Sequence, residues 1–290
     1  MSVTYTGERD VATALQYVEE STEGTFPTNA TLNWIGLQTR FALTSGVGPA
    51  QFWPLASDNA ANPIVHGQQI TGMRISYLPQ DFNFLKKAFN VGTAAGTRGP
   101  TFSLYGKITL GGTTNYLAMS GCRINTASIT CRANGVVAVD MQVIGRLYSY
   151  NTSAPGGSPT EASDPGTTAY YASMTGANLA VGSDYPKWAF IMAGVNNNDF
   201  PVWVGGQTTM GALKLGPHQA GGRVAIQQTG TTYDGYFRAS TNKNIVWTIT
   251  TGETVTWTNA YLENQTIEYS VGGGDIAEVY DIVAQNVTLV

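Results

Sequence analysis

Residues 136–150 constrain this chain more than any other stretch. Val137, Val139, Met141, Val143 and Leu147 recur at a period of two, and Val136, Ala138, Asp140, Gln142, Ile144 and Arg146 fill alternate positions. Successive side chains point to opposite faces in a strand. The first set therefore makes an apolar face for a core, and the second a mixed face for water or a neighbouring chain. Unbroken, at ~3.3 Å per residue, the run would exceed about 40 Å, longer than most globular strands, and Gly145 is where it can bend. Phe102, Leu104, Ile108 and Leu110 alternate in the same way with Ser103, Tyr105, Lys107 and Thr109. Gly111-Gly112-Thr113-Thr114 then reads as a hairpin turn, and 116–119 begins the return strand.

One helix is predicted over 79–90, where Phe82, Leu85 and Phe89 form an apolar stripe at spacings of three and four. Pro79 fits a first turn, Asp81 suits the positive end, and Lys86 and Lys87 suit the negative end. A second helical stretch is read over 11–20. Residues 151–184 carry strong breakers, Pro155-Gly156-Gly157-Ser158-Pro159 and Asp164-Pro165-Gly166, and read as an exposed connector. Strand patterning resumes at 188–193, 202–204, 222–228, 245–250, 254–257, 266–271 and 276–290. The expected organisation is a first β-domain over 1–150, the connector over 151–184, and a second β-domain over 185–290. Both domains end in a strand, a Gly-rich turn and a long strand, so the second reads as a diverged repeat of the first.

Little here points to chemistry. The two histidines, His66 and His218, stand apart in Gly/Pro-containing loop sequence. With only Cys122 and Cys131 besides, no Cys/His metal set can be assembled. The cysteines lie nine positions apart, an odd offset that puts them on opposite faces of a continuous strand, out of bridging range. Ile108 and Thr101 stand where a phosphate loop around Gly106-Lys107 would require Ser/Thr and Gly. The run from Asp58 to Asn62 lacks the Gly and closing Glu of a calcium loop. Trp247 and Trp257 lie within alternating strands and read as packing rather than sugar-stacking residues. The expectation is no enzyme, no cofactor and no metal.

Charged residues are 12% of the chain, about half the usual share, and the net charge is −4. No Lys/Arg run marks a nucleic-acid site, the start carries no secretory pattern, and no stretch is long and apolar enough for a membrane helix. Few charges with many Thr, Asn and Gly suit a surface that copies of the same chain cover.

The opening Tyr17-Val18-Glu19-Glu20-Ser21-Thr22-Glu23-Gly24-Thr25-Phe26-Pro27, followed by Leu32-Asn33-Trp34-Ile35-Gly36, resembles the start of tail tube proteins of long-tailed bacteriophages and archaeal tailed viruses. Leu104-Tyr105-Gly106, then the run from Tyr116 through Gly121-Cys122-Arg123-Ile124-Asn125, then 136–145, is similar to a second block of that family. The resemblance implies an all-β fold with minor helix: two packed sheets, sandwich- or barrel-like, flanked by a helix. It also implies rings that stack into a tube and conduct DNA without gripping it, in the tail of a virion assembled in the host cytoplasm. Partners would be other copies, other tail proteins and passing DNA, with no membrane. Two tube domains per chain would make a trimeric ring with pseudo-sixfold symmetry, the alternative being a hexamer. Asp140, Gln142, Glu268 and Glu278 are the expected lumen-facing residues, their acidity repelling phosphate. Val136, Ala138, Ile144 and Arg146 are expected on the strand between subunits. The alternatives are another self-assembling viral shell protein, a capsid or decoration subunit, and a carbohydrate-binding β-protein.

Overall fold

The computed structural model describes residues 11–12, 14–47, 50–51, 64–65, 69–89, 100–110, 112–167, 171–172, 179–202, 210–228, 230–250, 252–268 and 277–290. As expected, the chain is all-β with minor helices. Its main strands are β1 (Gln16–Glu19), β2 (Leu37–Val47), β3 (Gln69–Leu78), β4 (Phe102–Leu110), β5 (Thr113–Arg132), β6 (Ala138–Gly145) and β7 (Leu147–Asn151). They continue as β8 (Leu179–Val181), β9 (Trp188–Asn196), β10 (Gln219–Gln227), β11 (Lys243–Thr250), β12 (Glu253–Glu268), β13 (Ala277–Ala284) and β14 (Asn286–Leu289). Helix α1 (Asn83–Phe89) follows β3, and α2 (Thr232–Arg238) follows β10.

The two runs pair in the same way. In the first, β1 pairs β4, β2 pairs β3, β3 pairs β6, β6 pairs β5, and β5 also pairs β4 and β7. Adding seven to each label gives the second run: β8 with β11, β9 with β10, β10 with β13, β13 with β12, and β12 with β11 and β14. Irregularities recur too. A bulge interrupts β2·β3 between Gln38 and Arg40, and β9·β10 between Trp188 and Phe190. Another interrupts β4·β5 between Phe102 and Leu104, and β11·β12 between Lys243 and Ile245. Bulges leave a residue unpaired and bend the strand, so their coincidence aligns the two runs residue by residue.

Each run has two layers. The long strands β5 and β12 pass through both, pairing outer strands with their first halves and inner strands with their second. The inner strands of both runs join where β5 pairs β9, giving one antiparallel order β12-β13-β10-β9-β5-β6-β3-β2. The sheet is open, not closed into a barrel. Its core face carries Met73, Ile75, Ile129, Val139, Met141, Ile191, Val224 and Ile282, and one continuous cluster runs from these to Trp188, Trp247 and Trp257. α1 packs on β5 and also reaches β14 of the other run, while Lys86 of α1 pairs with Glu253 of β12 at 3.1 Å.

Local chemistry explains the elements. Phe84, Leu85, Ala88 and Phe89 of α1 are buried, and the Asn83 N–H donates to Asp81 Oδ1 at 2.9 Å, satisfying one first-turn donor. Val11–Ala12 and β1 are strand rather than helix, because both take up hydrogen bonds of β4. The run 136–150 is broken twice: Val137 separates Gly135–Val136 from β6, and at Arg146 the chain leaves the inner layer for β7 beside Ser120. Leu147 is consequently exposed, not on the core face of Val139 to Val143. Cys122 and Cys131 are free thiols, as expected, but both are buried, because a bulge opposite Gln142 and Val143 shifts the alternation between them. The predicted connector is only partly exposed: its β8 buries Leu179 and Val181 under β11, and Gln16 bonds Ala162 through both side-chain ends.

Glu20 ties the opening segment to β5. Although buried, its carboxylate accepts four hydrogen bonds: Gly24 N–H at 2.8 Å, Thr101 Oγ1 at 2.7 Å, Ser103 Oγ at 2.5 Å and Gly121 N–H at 2.7 Å. Gly121 has φ +65°, and a Cβ there would lie 2.6 Å from Arg146 Cβ, so the position demands glycine. Gly222 plays a packing role on β10: a Cβ would collide with the Met192 carbonyl oxygen and stand 3.1 Å from the Trp257 indole nitrogen, which donates to Gly221 O at 2.9 Å.

Two stability outcomes follow for the unassembled protein. Glu20→Ala leaves four donors, three of them buried, without their acceptor and is expected to cost about 3 kcal/mol in urea unfolding, with Glu20→Gln milder; an unchanged midpoint for the alanine variant contradicts this role. Gly222→Ala is expected to cost about 1–3 kcal/mol through overpacking, read as a lowered melting temperature, whereas a neutral effect would mean β9 and β10 can separate freely there.

Candidate assembly surface

The side chains opposite the core face of the inner sheet point away from both layers. Arg74, Gln142 and Arg223 are exposed, and around them stand the small residues Ser128, Thr130, Ala138 and Gly194. A shallow trough over the β5–β9 junction is lined by Thr126, Ser128, Asp140, Gly194, Asn196 and Gly221.

Two arginines of this face, Arg74 and Arg223, are each matched by an aspartate. Arg74 grips Asp140 with two nitrogens, Nε at 3.0 Å and an Nη at 2.8 Å, and Ser76 Oγ adds a bond at 3.1 Å. At the equivalent position of the second run, Arg223 Nε donates to Asp281 Oδ1 at 2.8 Å, and Asn264 Nδ2 to Oδ2 at 3.0 Å. The Asn264 amide, then Arg223, hold the Asp281 carboxyl below its usual range. That stabilisation is present above the ordinary carboxylate range and is lost as pH falls through the depressed value. These pairs are solvent-exposed and worth little in stability. Their effect is to neutralise the arginines.

The side chain of Glu268 lies outside the described residues. Of the other three residues expected to face a lumen, Asp140 and Gln142 lie on this open face. Glu278 does not. Strand parity puts it on the core face with Tyr280 and Ile282, fully buried, where the Tyr280 hydroxyl donates to it at 2.8 Å. The expected uniform acidity is also corrected, since Asp140 is matched by Arg74.

The four residues expected between subunits occupy no free edge. Ala138 and Ile144 belong to β6, an interior strand bonded to β3 on one side and β5 on the other. Val136 pairs with Tyr171 in a small ladder. Arg146 lies between strands and donates from Nε to the Met210 carbonyl at 3.1 Å.

The unpaired edges, among the described residues, are elsewhere. β2 pairs only with β3, and the second half of β12, 261–268, pairs only with β13. Such edges present rows of unbonded N–H and C=O groups. Sequence reading passed over β2, although Phe41 and Leu43 alternate with the polar Arg40 and small Ala42. Edge status is a property of pairing and leaves no composition mark.

Potential chemical groups are dispersed. His66 and Asp58–Asn62 lie outside the described residues. His218 Nδ1 bonds Asn197 Oδ1 at 2.8 Å. Among the described residues no three His, Cys, Asp or Glu side chains converge as a metal site, and no helix is long and apolar enough to cross a membrane. No protein-family model matches this chain, and no curated protein matches it.

Proposed function

We propose that this chain is a structural subunit of a virus particle: the tail tube protein of a long-tailed bacteriophage or archaeal tailed virus, which assembles with copies of itself into stacked rings that conduct DNA. The observation carrying this reading is the inner sheet. Two runs of one pairing scheme stand side by side, their inner strands form one sheet, and among the described residues one face of that sheet is uncovered and both its ends are unpaired. A sheet of this kind reaches a stable end state by closing on itself with further copies, which removes its edges.

Magnitudes favour a trimeric ring. Each chain offers eight inner strands. Three copies give about 24, which at ~4.8 Å spacing and ~40° tilt close a barrel about 50 Å across, wide enough for an aqueous lumen. Because the two runs pair alike, three chains would present six similar units. The uncovered face would line the lumen. Two of its arginines, Arg74 and Arg223, are neutralised by Asp140 and Asp281, and free Lys/Arg is what supplies non-specific DNA affinity.

Glu20 adds independent support. The two segments that carry the resemblance to tail tube proteins, around Glu20–Gly24 and Gly121–Cys122, meet at its carboxylate. That contact gives a physical reason for both segments to occur in one chain.

Size-exclusion chromatography with negative-stain imaging across protein concentration tests the reading. Stacked rings or tubes are expected. Closed shells would favour the capsid or decoration alternative, and a monomer under all salt conditions would contradict self-assembly. On the assembled form, Asp140→Asn with Asp281→Asn is expected to create DNA retention that salt abolishes, where the parent tube shows none. Equal behaviour of the two would remove the charge-matching role.

A further inference from the structure

We infer that residues 264–268 of β12 pair antiparallel with β2 of a second copy of this chain, in the register that joins β5 to β9 within one chain, so that Ile267 of one copy lies opposite Leu43 of the next. The inference rests on the ring reading above and adds which edges meet and at which residues.

The internal junction supplies the register. There, Ile129 lies opposite Ala193, Thr130 opposite Met192, and Ser128 opposite Gly194. The shared pairing scheme carries each of these to a free edge. Ile129 stands opposite Val139 of β6, and Ile267 stands opposite Glu278 at the same place on β13. Ala193 stands opposite Gly222 of β10, and Leu43 opposite Met73 at the same place on β3. Transferring the junction therefore sets Ile267 against Leu43, Glu268 against Ala42, and Thr266 against Thr44.

Burial agrees with a missing neighbour. Ile129, covered by β9, is 0% exposed, whereas its counterpart Ile267 is 36% exposed on the same core-side face. Leu43 is only partly buried at the other edge. Joining them would extend the apolar layer across the subunit boundary, the kind of cross-strand pair that stabilises a sheet.

Charge selects the partner edge. Glu263 is exposed on the open face of β12, so pairing two β12 edges would bring like charges together. β2 carries the exposed Arg40 on that same face, opposite Ser76. In the proposed register Glu268 is diagonal to Arg40, within reach of long side chains. The edges differ, so the contact is head-to-tail and each copy uses both its ends, which closes a ring.

Oxidative cross-linking of the full chain tests this. Cys122 and Cys131 are buried and leave a clean background. Leu43→Cys with Ile267→Cys is expected to give a reducible ladder ending in a closed covalent trimer. A mixture of the two single variants is expected to give dimers, and each single variant alone none. Moving one cysteine by one position, Ala42→Cys with Ile267→Cys, turns it to the opposite face and is expected to abolish the ladder. Rings by imaging without cross-linking of the Leu43–Ile267 pair would overturn the edge assignment and leave the ring reading standing. Cross-links in either single variant would overturn it in favour of like-with-like pairing. A folded protein that never associates would overturn both. Surface charges give a second route that does not strain the fold. Glu268→Arg is expected to raise the concentration for half-assembly roughly tenfold, and adding Arg40→Glu to restore it. Assembly of Glu268→Arg unchanged from the parent would contradict the inference.

Discussion

The antiparallel ladder between β5 and β9 is the contact on which the rest of this structure depends. Without it the chain would be two small sandwiches on a tether, each with its own exposed inner edges. With it, Ile129, Cys131, Ile191, Ala193 and Val195 become a shared core, and the inner strands become one surface. The ladder also fixes the geometry of everything outward. Once β5 pairs β9, the free ends of the sheet, among the described residues, are β2 and β12.

Much of the fold was legible in the sequence, for definite reasons. β4 has the bounds its alternation gave, because Phe102 and Leu104 are buried in the core and its ladder with β5 closes where Leu110 meets Thr113. The stripe of Phe82, Leu85 and Phe89 marked α1 for the same kind of reason. The second helix was overlooked although Tyr233 and Phe237 share a face with Tyr236 nearby, since the Gly-rich surroundings at 229–235 resemble a turn. Residues 11–20 were read as helix because local spacing cannot register that β4 lies waiting to be paired. The shared pairing scheme was visible only as an order of strand, Gly turn and strand. Its firmest marks, the matched bulges, are defined by partner strands and cannot be read from one segment.

The candidate surface divides the same way. Alternation places Asp140 and Gln142 on the open face. Glu278 was chosen for its charge when its parity with Tyr280 and Ile282 already argued for the core. Placing Ala138 and Ile144 between subunits assumed that the best strand sits at an edge. A long, apolar-faced strand gains most from being paired on both sides, so it lies inside the sheet. Edges are instead left to strands such as β2 whose exposed face bears charge, as Arg40 does. Low overall charge then has a structural meaning. The open face matches Arg74 and Arg223 with aspartates, and the two sheet ends carry opposite signs in Arg40 and Glu263, which in the proposed ring would direct association towards unlike ends.

The central claim is that one chain supplies two of the units from which a ring is built. Helical reconstruction of the assembled tube, at a resolution that traces strands, measures this directly. The account predicts three chains per ring, each giving eight consecutive inner strands to a single closed barrel of 24. Six chains per ring with one run of each in the barrel, and the other decorating the outside, would contradict it.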